Sequence, residues 1–146
     1  MSERAKPHVR AAYRAFVELT TRWHDNDVYG HVNNVVYYAW FDTAVNQRLV
    51  DAGLLDPATS DVVGLVVDTS CTYFSSIAFP QKVSVGLRVE TLGRSSVTYG
   101  LAVFAGDADA AAAQGRFTHV YVDRKSGRPV AMPAALRVYF EGMATS

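Results

Sequence analysis

The chain has 146 residues, 49% apolar and 19% charged, with 14 basic residues against 14 acidic ones. That length fits one domain with its own core, and the zero formal net charge leaves no basic field to attract nucleic acid or an acidic membrane surface. A lone Cys71 excludes an intrachain disulfide, no apolar run approaches the ~18 residues of a membrane span, and the first residues contain no apolar leader, so a soluble cytoplasmic protein is expected.

Residues 1–10 are polar and read as a flexible lead-in to a single domain over 11–146. Then Tyr13, Ala15, Val17 and Leu19 alternate with Arg14, Phe16, Glu18 and Thr20, the period of a half-buried strand. This strand leads to the stretch around which the sequence is organised, R-W-H-D-N-D-V-Y-G-H-V-N-N-V-V-Y-Y-A-W-F-D from Arg22 to Asp42. Asp25, Asp27 and His31 fall close together there, Gly30 permits a tight turn, and Asn33 or Asn34 caps the helix that follows. A carboxylate beside the open N–H groups of a helix start can attack a carbonyl carbon, or activate water to do so.

From Asn34 to about Ala52, Tyr37, Tyr38, Phe41, Val45, Leu49 and Ala52 recur at three- and four-residue steps. Val35, Val36, Ala39 and Trp40 widen the stripe, so this helix is expected to be buried and wrapped by sheet, with Gly53 as its stop. Residues 54–63 read as a loop. Strands follow over 65–74, around 83–89, 97–103 and 113–122, separated by turns at 92–95 and 106–109, and a short helix over 134–140 closes the chain. Strand, buried helix and four strands in meander-like succession predict an α+β fold, an antiparallel sheet curled around one central helix. Phe16, Tyr73 and Phe104 are expected on the outer face, where a second subunit would cover them.

On Arg22, Asp25-x-Asp27, Gly30, Asn33-Asn34, Tyr37 and Trp40-Phe41-Asp42, the sequence resembles the hotdog-fold acyl-CoA thioesterases of the 4-hydroxybenzoyl-CoA thioesterase-like family. Phe79-Pro80, Leu92-Gly93-Arg94-Ser95-Ser96 and Val122-Asp123 with Gly127-Arg128-Pro129 extend the resemblance over almost the whole chain. It implies a hotdog fold, in agreement with the order of elements. It also implies hydrolysis of an acyl thioester to free acid and thiol, with Asp27 as nucleophile or general base and the Asn34 backbone N–H as oxyanion donor. Tyr29, Gly30, Val32 and Tyr37 would shape the acyl site, and Arg94 with Ser95 would bind the substrate. Arg94, Arg124, Lys125 and Arg128 sit at predicted turns, either to meet the phosphates of a coenzyme A tail or as solvated turn charges. The implied partner is an acyl-CoA or acyl-carrier-protein thioester on a homodimer or homotetramer, with no metal and no cofactor beyond the coenzyme A of the substrate.

His31 departs from the hydroxybenzoyl-type pattern, which carries an aliphatic residue there. His31-Val32-Asn33-Asn34-Val35 with Tyr37 is similar to the plant acyl-carrier-protein thioesterases, in which an Asp, an Asn and a His act together. Asp27 and His31 match two of these, while Tyr29 occupies the Asn position. His31 is left as an orienter of Asp27, a holder of water or a loop hydrogen-bonder.

Plainer readings stand beside these. Asp27 is also a turn-capping aspartate, and Asp25 reads as structural. His24, Asp25, Asp27 and His31 match no zinc spacing. Cys71 reads as a small buried hydrophobe, His119 as a packed or exposed strand residue and His8 as tail. Asp42, on the helix, is a reserve carboxylate. Two alternatives stay open: a hotdog hydratase or dehydratase using Asp27 and His31, and a non-catalytic acyl-CoA binding module.

Overall fold

The alternating residues after Tyr13 form β1 (Ala15–Thr20), and the apolar stripe after the Asn pair forms α1 (Asn34–Asp51). β2 (Val62–Tyr73), β3 (Lys82–Leu92), β4 (Ser96–Ala105), β5 (Ala113–Asp123) and α2 (Ala134–Glu141) complete a computed structural model that describes residues 5–144. The strands make one antiparallel five-stranded sheet in the order β1-β3-β4-β5-β2 with α1 across its inner face, a hotdog fold.

The meander holds for β3, β4 and β5 but not for β2. β1 occupies the free side of β3, from Ala15 opposite Leu87 to Thr20 opposite Lys82. The only side left to β2 is that of β5, where Val62 lies opposite Asp123 and Tyr73 opposite Ala113. The chain therefore crosses from α1 to the far edge of the sheet. Among the described residues no strand pairs with the other side of β2, and Leu65, Val66 and Val67 are exposed on it.

One face of α1 is buried: Tyr37, Trp40, Phe41, Ala44, Val45 and Leu49 at helical spacing. They share a core with Val83, Val85, Leu87 and Val89 of β3, with Val97, Tyr99, Leu101 and Val103 of β4, and with Leu136 and Phe140 of α2. Alternation along β3 and β4 sends every second residue inward. Val35 and Val50 lie exposed on the other side, so the helix is covered on one face only within this chain. His119 belongs to the core, 2% exposed, its ring centroid 4.8 Å from Phe117, 6.1 Å from Tyr99 and 6.3 Å from Tyr121.

The outer face corrects another expectation. Phe104 is fully buried, but the chain's own N-terminal segment covers it. Tyr13 and Phe16 pack on its ring at 5.9 and 6.1 Å, and the Arg10 guanidinium sits 4.9 Å above it. A side chain at Gly86 would come within 2.9 Å of the Tyr13 ring, so glycine there lets the tyrosine lie flat on the sheet. His8, read as tail, accepts the Ala111 N–H on its carbonyl and places Nδ1 2.9 Å from the Tyr13 hydroxyl; Val9 bridges Ala110. Residues 1–4 of the expected lead-in lie outside the described residues. Among the described residues, no helix is long and apolar enough to cross a membrane.

Candidate functional site

Leaving β1, the chain makes a 3-10 turn over Trp23–Asp25 that buries the Asp25 carboxylate. Its Oδ2 accepts the Arg22 backbone N–H at 2.7 Å, and its Oδ1 accepts Arg22 Nε at 3.0 Å and Nη2 at 2.8 Å. The Asp25 carbonyl then accepts the Asn33 N–H at 2.9 Å, which closes residues 25–33 into a loop.

Asp27 and His31 face each other inside that loop. The Asp27 N–H donates to the His31 carbonyl at 2.8 Å, and the Gly30 N–H donates to the Asp27 carbonyl at 3.1 Å. Gly30 makes the reversal at φ +79, in the left-handed region that favours glycine. Asp27 Oδ1 accepts the N–H groups of Tyr29 at 2.9 Å and His31 at 3.4 Å, the local pattern of an aspartate turn. Its Oδ2 has no partner among the described residues, so the plain role and the chemical role occupy different oxygens.

Asn33 caps α1: its Oδ1 accepts the Val35 N–H at 3.2 Å, and its carbonyl accepts the Val36 N–H at 2.9 Å. The Asn34 N–H has no acceptor among the described residues. It stands at the start of an 18-residue helix, where unsatisfied N–H groups and the helix dipole combine into partial positive charge.

Beside this N–H lies a cavity of about 250 Å³ lined by His31, Val32, Asn34 and Tyr37, and by Tyr73, Phe74, Ser75 and Ser76 at the end of β2. The structure thus brings four of the sequence-derived residues together. Val32 is buried and donates its N–H to the Ile77 carbonyl at 2.7 Å. Burial raises the Tyr37 hydroxyl pKa to about 12, with Cys71 next among the causes, so Tyr37 stays protonated. The His31 side chain is exposed and makes no hydrogen bond among the described residues.

The other predicted residues stand apart. Asp27 does not line the cavity; it reaches it through His31, to whose backbone it is bonded. Tyr29 projects into solvent at the loop tip. Arg94 and Ser95 sit in the turn between β3 and β4, whereas the Asp27 loop follows the end of β1 that pairs with Lys82. The eleven residues of β3 separate these points by about 33 Å in one chain. There the Arg94 carbonyl accepts the Met132 N–H at 2.9 Å and the Ser95 carbonyl accepts the Tyr121 N–H at 2.7 Å, which ties the turn to the C-terminal segment.

Tyr73 through Ser76 were missed by the sequence reading. Tyr73 was expected on the outer face under a second subunit, but its ring turns inward onto the buried Tyr37, centroids 5.0 Å apart, beside the start of α1. Burial raises the Cys71 pKa to about 11, so it is a thiol and not an available thiolate. Asp42 is exposed two turns along α1, with Oδ1 3.1 Å from Asn46 Nδ2.

A five-stranded antiparallel sheet wrapped on one long helix is the hotdog fold. The chain belongs to the thioesterase-like superfamily, whose family model matches residues 21–140, and it is a thioester hydrolase. A Pseudomonas aeruginosa PAO1 protein of known structure is 53% identical, over 96% of this chain and 98% of its own, at a TM-score of 0.93. A Staphylococcus aureus DHNA-CoA thioesterase has the same fold at 21% identity, with TM-score 0.75 over 88% of this chain and 87% of its own. So does a Synechocystis 1,4-dihydroxy-2-naphthoyl-CoA thioesterase at 14% identity, with TM-score 0.78 over 86% and 93%. No curated protein matches the chain.

Proposed function

We propose that the chain hydrolyses an acyl-CoA or acyl-carrier-protein thioester at the start of α1. The thioester oxygen accepts the Asn34 N–H, and the Asp27 carboxylate acts as nucleophile or general base. The observation that carries this reading is an Asn34 N–H at the helix N-terminus, with a carboxylate oxygen of Asp27 on the preceding loop, neither of them partnered among the described residues.

As the carbonyl carbon becomes tetrahedral, negative charge moves onto its oxygen. A fixed N–H and the positive end of the helix stabilise that charge more than they stabilise the ground state. With Asp27 as base, water adds first and collapse of the tetrahedral centre expels the thiolate to leave the free acid. With Asp27 as nucleophile, collapse expels the thiolate and leaves an Asp27 acyl anhydride, which one water hydrolyses to the free acid and the carboxylate. The exposed His31 side chain, which lines the cavity and makes no hydrogen bond among the described residues, holds the attacking water in this reading. Val32 and Tyr37 bound the acyl group. A cavity of about 250 Å³ falls below the ~300–1,000 Å³ of drug-sized pockets, which favours a compact acyl group with coenzyme A or a carrier arm outside.

The working form in this reading is a homodimer formed along the free side of β2, because an unpaired edge bearing Leu65, Val66 and Val67 is a template for a second strand. The lone thiol of Cys71 fits a reducing cytoplasm.

Asp27→Asn tests the assignment. Thiol release from a panel of acyl-CoAs is expected to fall about 10²–10⁴-fold, with the melting temperature and circular dichroism unchanged. A variant as fast as wild type would overturn it.

A further inference from the structure

The groups flanking the Asn34 N–H are almost all tied down by neighbours in sequence. The Asn33 N–H is held by the Asp25 carbonyl, the Asn33 carbonyl by the Val36 N–H, and the Asn33 side chain by the Val35 N–H. One tie comes from elsewhere in the chain. The Tyr73 hydroxyl, at the end of β2, donates to the Asn34 carbonyl oxygen at 2.8 Å. A carbonyl has two lone pairs, so Asn34 O takes this bond together with its helical partner four residues on, the Tyr38 N–H.

The Tyr73 ring is itself set in place. It meets the buried Tyr37 edge-on, with centroids 5.0 Å apart and planes at 88°, and Tyr37 meets the buried Trp40 at 5.0 Å and 61°. Burial pushes the Tyr73 pKa upward, so the hydroxyl remains a proton donor through the working range of pH.

We propose that Tyr73 is a positioning residue for hydrolysis: its hydroxyl clamps the first turn of α1 so that the Asn34 N–H keeps its aim while charge develops on the thioester oxygen. This inference rests on the reading of Asn34 as oxyanion donor. The physical basis is that such donors work by being fixed in advance, whereas the terminal turns of helices fray. The clamp joins the helix start to the edge strand and resists that fraying.

Tyr73→Phe keeps the ring contacts and removes only the hydroxyl. The expected result is a kcat lower by about three- to tenfold, the worth of one neutral hydrogen bond, with KM within about twofold of wild type. Amide exchange at Tyr38, whose acceptor is the clamped carbonyl, is expected to quicken by a similar factor while the melting temperature holds. A merely structural tyrosine would instead lower the melting temperature and leave kcat per folded molecule intact, and that result overturns the proposal. So does unchanged exchange at Tyr38. Asp27→Asn assayed alongside separates the two levels. If Asp27→Asn is inactive and Tyr73→Phe has wild-type kcat, only the clamp fails. If Asp27→Asn is fully active, the reading of the site fails and the clamp falls with it.

Discussion

Asp25 and Asp27 lie two residues apart and serve opposite ends. Arg22 surrounds the buried carboxylate of Asp25, whereas Asp27 commits one oxygen to its own turn and leaves the other open. The D-x-D spacing and the structural part of Asp25 were legible in the sequence, but the Arg22 side chain that closes on its carboxylate was not. His119 shows a residue-scale effect that strand periodicity did not reveal. Burial among aromatic rings lowers its pKa from the ordinary 6.5 to about 4, so the folded chain holds it neutral. Between those two pH values the unfolded chain binds the extra proton, so stability falls as pH drops through that window and is undiminished above it. The loss is on the order of 3 kcal/mol by pH 4. His119→Leu has nothing to titrate there, so its urea midpoint should fall less between pH 7 and pH 4.5 than that of wild type. His8, whose pKa burial also lowers, is common to both proteins and cancels. Equal losses in the two proteins would remove His119 as the cause.

At the scale of elements, the sequence spoke most clearly where one face is buried. The three- and four-residue steps of α1 correspond to the buried set from Tyr37 to Leu49, and Gly53 ends the helix at φ +72. β3 and β4 declared themselves by alternation and by the short turn between them. β2 was legible as a strand but not as an edge, because pairing with β5 is a long-range choice that no local pattern encodes. Its run Leu65-Val66-Val67 lacks alternation, and the register shifts between Val66 and Asp68, where the strand bulges. A lysine on an exposed edge discourages pairing with another strand. If the proposed homodimer forms along this edge, Val66→Lys should therefore give a monomer in light scattering without unfolding the chain. A variant that still assembles as wild type does would place the subunit contact elsewhere.

For the whole molecule, the motif pointed to the start of α1, but the sheet decided which residues gather there. Arg94 and Ser95 were grouped with Asp27 by resemblance, and the length of β3 puts them at opposite ends of one chain. Phe104 was read as a subunit contact because its alternation points outward; the direction holds, but the cover comes from the same chain. The sequence did not reveal that Arg10, Tyr13 and Phe16 would fold back over it. The crossover to β2 also has a meaning in time. During synthesis β2 emerges soon after α1, yet β5, the strand it pairs with in this chain, is made after β3 and β4. Pairing between segments so far apart closes late, because the chain must first be brought together across the intervening length. Until then Leu65, Val66 and Val67 stand bare on both sides of an unpaired strand, the kind of surface that drives nascent chains to associate. The most vulnerable moment in the life of this molecule lies between the making of its second strand and its fifth.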